Sequence, residues 1–212
     1  MHRLLAKTPL KLVLVVPFVA QMAVAISLVA WLSVRNSQQT VDAVADELWD
    51  EITALTELHV AEYLQIPQDV ITGNLAQYSL NLTDLRDPET LTRYLWSEMK
   101  QHDELFITAI GYETGAVVGV GVEADDQLVA RVMEPGQTQL HTYALTDQGD
   151  RGPLLRADDF NLQSRPWYRD AVAAQQLTWT KIYPNYADPY NLISAVSPIY
   201  DSATQQLVGV TN

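Results

Sequence analysis

The chain has 212 residues, with 13 Lys/Arg set against 26 Asp/Glu and no cysteine. The missing cysteine excludes disulfides, thiolate metal sites and thiol nucleophiles, and the acidic balance repels nucleic-acid phosphate, so nucleic-acid partners are discounted. Charge is segregated: residues 1–35 carry Arg3, Lys7, Lys11 and Arg35 without a single acid, and every Asp and Glu lies beyond Asn36.

The first element is apolar. Leu12 to Val34 runs 23 residues without a charge, enough at about 1.5 Å per residue to cross a hydrocarbon core of roughly 30 Å with some tilt. Pro17 and Gln21 are tolerable in such a helix and Trp31 suits an interfacial belt. With the basic cluster ahead of it and acids behind, the positive-inside rule puts residues 1–11 in the cytoplasm and 36–212 outside it, across an inner (plasma) membrane. A cleaved signal peptide is the alternative, since Ala23-Val24-Ala25 resembles a cleavage site. The apolar run continues past that point, which favours an uncleaved anchor.

A helical region, 36–104, follows. In Ser37 to Leu64, apolar residues recur at Val41, Ala45, Leu48, Ile52 and Leu55, in alternating steps of four and three. That spacing gives a coiled-coil-like seam of barely two heptads. It fits either a helix packed on its own domain or the stalk of a homodimer. Pro67 is expected to end this helix, with a second one from about Asp69 to Leu80. A third opens at Asp87-Pro88-Glu89, where Asp87 suits the N-cap, Pro88 the first turn and Glu89 the positive helix end. Leu91, Tyr94, Leu95 and Met99 give its buried face.

From Leu105 to Asn212 the period changes to that of strands. Two runs flank Glu113-Thr114-Gly115, a hairpin signal. Two more, QLVARVME and TQLHTYALT, are separated by Pro135-Gly136. Residues 147–164 read as a loop leading to a helix from Tyr168 to Gln175. Two long strands, LTWTKIYPN and YNLISAVSPIYD, precede a last one beginning QLVGVTN. The layout is α+β: helices first, then an antiparallel sheet with inserted helices.

Enzyme signatures are few and weak: the sequence has no G-x-S-x-G, H-E-x-x-H or P-loop. His2, His59, His102 and His141 are too scattered to imply a metal, and no cofactor is expected. SRPWYRDAV, Ser164 to Val172, stands out instead. Arg165 offers a planar fork of donors for a carboxylate. Trp167 and Tyr168 add a flat wall and polar hydrogens, and Pro166 stiffens the backbone between them. Tyr183 follows fifteen residues later on a strand able to line the same cavity. The competing reading is a packed corner with core aromatics and Arg165 paired to Asp170 or another acid.

Anchor, long helix, antiparallel sheet, then R-P-W-Y, a short helix and a strand with Tyr183 together resemble the double-Cache family of extracytoplasmic sensors. The resemblance covers Ser37 to Asn212 and implies a PAS-like ligand-binding module at 105–212. It implies that Arg165, Trp167 and Tyr168 hold a ligand carboxylate, with Tyr183 and a later Asp at its amino group. Two positions depart from the amino-acid-binding pattern. Phe160 stands where Tyr is common, and neutral Asn212 stands where the later Asp is expected at or just past it. Asp188, on the loop after Tyr183, is the remaining candidate for that role. LVGVTN stops in mid-strand, and relatives of this layout continue into a membrane-proximal module, a second membrane helix and a cytoplasmic output domain such as a histidine kinase or nucleotide cyclase. The expectation is therefore a membrane-bound sensor for an amino acid or organic acid, itself without catalysis. An anchored hydrolase with paired carboxylates and a ligand-free dimerisation module are the alternatives.

Overall fold

The computed structural model describes residues 10–80, 86–123, 126–186 and 190–212. They divide into two compact units, residues 1–59 and 60–212. The element common to both is α1, Leu10–Ser79. Among the described residues it is the one helix long and apolar enough to cross a membrane. Within the first unit its apolar side chains from Leu14 to Val34 are exposed, and so are Val41, Leu48, Ile52 and Leu55 of the heptad seam.

Pro67 does not end the helix. α1 continues through it to Ser79 without a second start. Proline removes one backbone bond and crowds the preceding turn. Burial of the next turns compensates, with Val70, Ile71 and Asn74 all packed away from solvent. Tertiary burial outweighs local propensity here.

The helix α2, Pro88–Gln101, begins as its sequence dictates. Asp87 has extended backbone angles and accepts a hydrogen bond from the Thr90 amide at 2.8 Å. Bonds from Thr90 hold the Asp87 carboxyl below its ordinary value. Leu91, Leu95 and Met99 point from α2 into the core, each worth about 1.5–3 kcal/mol of burial.

Among the described residues the sheet has eight antiparallel strands. They are β1 (Ile107–Tyr112), β2 (Val117–Val122), β3 (Leu128–Met133), β4 (Gln139–Leu145), β5 (Arg151–Asp159), β6 (Thr178–Trp179), β9 (Ala195–Tyr200) and β10 (Leu207–Thr211), in the spatial order β5-β4-β3-β2-β1-β10-β9-β6. A separate two-stranded ribbon pairs β7 (Tyr183–Pro184) with β8 (Asn191–Leu192). Gly115, at φ +90°, turns β1 into β2 as expected.

Both faces of the sheet are covered, which is why VVGVGV carries no polar residue. On one face Ile110, Val118, Val120, Ala130, Val132 and Ile199 pack with Val70 of α1 and Leu91, Leu95 and Met99 of α2. On the other, Val117, Met133, Leu140, Val196 and Val210 pack with the short helix α3, Pro166–Ala174, and its approach. The α+β layout is the one read from the sequence.

Two sequence expectations change. Residues 151–159 are a strand rather than a loop, an edge strand pairing with β4 alone among the described residues, through a register irregular at Thr142, Tyr143 and Leu145. Gly152 and Pro153 hide it in the sequence, but a missing N–H is tolerated on an edge strand or beside a bulge. The two long strands after α3 are each broken in two. β6 joins the sheet through β9, whereas β7 and β8 pair with each other. At the break, the Thr180 amide donates to the Ser194 carbonyl and the Ser194 amide donates to the Thr180 hydroxyl.

Candidate functional site

Local chemistry builds the corner at Arg165. The Asn161 side chain accepts from the Ser164 amide at 3.3 Å, closing a 3-10 turn over Leu162–Ser164. The residue before a proline is driven to extended angles, and Arg165 sits at φ −71°, ψ 136° as the N-cap of α3. Pro166 then opens the helix, where its missing N–H costs nothing. Trp167, Tyr168 and Ala171 form the buried face of α3. Gly111 of β1 allows this close seat, because a Cβ there would lie 2.8 Å from the Trp167 ring and 2.7 Å from Leu162.

Between this corner, the sheet and the β7–β8 ribbon lies a cavity of about 50 Å³. Arg165, Trp167 and Tyr183 line it, together with Arg131, Phe160, Asn185, Tyr186 and Asn212. The sequence motif is thus brought together, with one member set apart. Tyr168 is buried beside the cavity rather than on its lining, edge-on to Trp167 at 6.0 Å. Burial, and then the charge of Glu113, pushes its phenol above the ordinary value. Asp188 lies outside the described residues.

Arg165 is half-buried, and burial pulls its pKa down from the ordinary arginine value. Its Nη2 donates to the Pro184 carbonyl at 3.3 Å. Its guanidinium carbon stands 6.0 Å from the Phe160 ring and 5.7 Å from the Tyr186 ring. Those two rings meet edge-to-face at 5.0 Å, and Tyr186 is tied down by its hydroxyl to the Asp159 carbonyl at 3.1 Å. Among the described residues no carboxylate pairs with Arg165, so Asp170 is not its partner. Tyr183 is fixed by a 2.8 Å contact between its hydroxyl and that of Ser194. Burial raises its pKa, partly offset by Ser194 and Arg165.

Sequence reasoning missed Arg131, Asn185 and Tyr186. Arg131 had a signal: it interrupts the inward alternation of Val129, Arg131 and Met133 on β3. Its Nη2 donates to Glu123 at 3.0 Å, and Glu123 also receives Arg156 at 3.1 Å, which in turn reaches Asp158 at 3.0 Å. Gly121 gives the guanidinium its room, since a Cβ there would lie 2.5 Å from Nη1. Asn212 is held by paired backbone bonds with Ala109 of 3.0 and 3.3 Å. Its buried Oδ1 accepts no hydrogen bond among the described residues.

Several solved structures resemble the chain. The ligand-binding domain of the Pseudomonas aeruginosa PAO1 amino acid chemoreceptor PctC, in complex with GABA, is 20% identical, with a TM-score of 0.48, over 78% of this chain and 57% of that one. That of the Campylobacter jejuni chemoreceptor Tlp3, in complex with 4-methylisoleucine, is 12% identical, with a TM-score of 0.46, over 74% and 50%. That of the P. aeruginosa chemoreceptor PctB, in complex with L-arginine, is 19% identical, with a TM-score of 0.35, over 71% and 47%. The chain therefore spans about half the length of these domains. The family model for the methyl-accepting chemotaxis protein-like, first PDC sensor domain matches residues 91–212, more than half of the chain. The chain belongs to that family of chemoreceptor sensor domains, in keeping with the double-Cache resemblance of its sequence.

Proposed function

We propose that this chain is the sensory front of a membrane signalling receptor and that its cavity binds a small carboxylate-bearing ligand, an amino acid or organic acid. The observation that carries this reading is Arg165: a half-buried guanidinium on a cavity wall, flanked by two aromatic rings, with no carboxylate partner among the described residues. Burying a charge without a partner is unfavourable, and a ligand anion supplies the missing partner through a charge-assisted, two-pronged bond. Trp167 and Tyr183 act as walls, and Tyr168 supports Trp167 from behind.

In the same reading the apolar part of α1 anchors the chain in the membrane, residues 1–11 are cytoplasmic, and 36–212 lie outside. The exposed seam of Val41, Leu48, Ile52 and Leu55 supports a homodimer formed along α1 in the membrane-bound receptor.

The test is calorimetric titration of the full chain, in detergent or nanodiscs, with a panel of amino and organic acids. Saturable binding without turnover is expected. Arg165→Ala should weaken it by about 1.5–3 kcal/mol, ten- to a hundredfold, while leaving the melting curve nearly unchanged. Full affinity in that variant would remove Arg165 from the site, and turnover of a bound acid would replace a sensor with an enzyme.

A further inference from the structure

Resting on that reading of the cavity, we infer that Tyr186 and Phe160 are positioning residues for the ligand: their rings hold the Arg165 guanidinium in place while leaving its hydrogen-bonding edge to a carboxylate. Neither belongs to the R-P-W-Y stretch. Phe160 follows β5 and Tyr186 follows β7, and both line the cavity.

Each ring is itself tied down. The Phe160 amide donates to the Thr138 carbonyl at 2.9 Å, and the Tyr186 hydroxyl donates to the Asp159 carbonyl at 3.1 Å. The two ring planes stand 84° apart, and the guanidinium carbon lies over both, 6.0 Å from the Phe160 centroid and 5.7 Å from that of Tyr186. A cation at such distances is attracted to an aromatic face. An acid would hold Arg165 as firmly, but it would take up the same fork of donors that a ligand carboxylate uses. A ring face holds the cation without taking up that fork.

Two consequences favour binding. An arginine side chain has large rotamer entropy, so one already held loses less of it when the ligand arrives. The rings also keep water from part of the guanidinium, and a charge-assisted bond is less screened there. The single phenol hydrogen of Tyr186 is committed to Asp159, so the residue acts through Arg165 and not as a donor to the ligand.

A double-mutant cycle on the full chain in nanodiscs tests this. The cavity of about 50 Å³ has room for roughly four water-sized groups, so the probes are acetate, L-lactate and L-alanine, and the tightest binder is carried through the cycle. Tyr186→Leu should weaken binding about three- to tenfold, as loss of a partly desolvated cation–π contact does, and Phe160→Leu should do the same. In an Arg165→Ala background neither change should weaken binding further. Tyr186→Phe keeps the ring and should retain most of the affinity. Melting curves identify any variant that unfolds, and the two leucine variants give independent readings. With no ligand present, Tyr186→Leu should also speed the modification of Arg165 by phenylglyoxal, followed by peptide mass spectrometry. Parental affinity in both leucine variants, equal losses in the two backgrounds, or an unchanged modification rate overturns the positioning role and leaves Arg165 as the anchor. If none of the three acids binds, or if binding survives Arg165→Ala, the carboxylate reading fails and the inference falls with it.

Discussion

Arg165 and Trp167 are two residues apart and do different work, which their substitutions should separate. Trp167 is buried among Val117, Leu162 and Tyr183, so Trp167→Ala should destabilise the fold by about 3–5 kcal/mol, as large-to-small core changes do. Arg165→Lys should keep the fold and still weaken ligand binding, because an ammonium cannot reproduce a planar fork. Melting curves and titrations of both variants decide; equal losses of stability would make the corner structural only. The tyrosines around the cavity carry a pH dependence of definite sign. Burial raises the phenol pKa of Tyr168, Tyr183 and Tyr186. A neutral acid held above its unfolded value favours the fold fully below about pH 10, and that contribution is lost as pH rises through the folded values. Stability should therefore fall on the alkaline side in step with phenolate absorbance, and Tyr183→Phe should make the fall shallower. A flat alkaline profile would contradict the burial of these phenols.

At the scale of elements, α1 offers the sharpest experiment, because a chain without cysteine can be labelled one position at a time. Val41→Cys, Leu48→Cys and Leu55→Cys should each cross-link in native membranes, and Val44→Cys, off the seam, should do so less. The same cysteines should react with a membrane-impermeant thiol reagent added outside intact cells. Absence of cross-links would dismiss the seam; protection from the reagent would invert the topology. Which elements were legible follows from where their information lies. The apolar span, the cap at Asp87, the turn at Gly115 and the R-P-W-Y corner are written in contiguous residues, and local rules read them. β5 was not legible, because an edge strand needs no alternation and tolerates Gly152 and Pro153. Nor was the passage of α1 through Pro67, since it depends on the burial of Val70 and Ile71 by elements distant in sequence. The cavity was half legible for the same reason: Arg165, Trp167 and Tyr183 belong to one stretch, whereas Arg131 and Tyr186 arrive from separate strands and loops.

For the molecule to signal, occupancy of the cavity must favour one arrangement of the sensor over another, and a ligand does so only through differential affinity. Strand alternation supplies a physical connection across the sheet of residues 60–212. Asn212 borders the cavity, and Thr211 beside it reaches α1. The Thr211 hydroxyl accepts a 2.9 Å hydrogen bond from Asn74 Nδ2 of α1, and both residues are fully buried. The Asn74 Oδ1 is buried and accepts nothing among the described residues, so this contact is polar, isolated and sensitive to small shifts of β10. Binding of a carboxylate ligand found by the titration should therefore slow amide exchange in β10 and also in residues 70–79 of α1. Asn74→Ala removes one buried hydrogen bond, about 0.5–1.5 kcal/mol, a modest part of the roughly 5–15 kcal/mol that stabilises a domain. In that variant, the same ligand should still bind with near-parental affinity and still protect β10, while protection of α1 is lost. Hydrogen-exchange mass spectrometry of the two proteins with and without that ligand reads all three quantities together. If α1 keeps its protection in Asn74→Ala, the coupling runs through the apolar packing of Val70 and Ile110 instead, and the Asn74–Thr211 contact is merely structural.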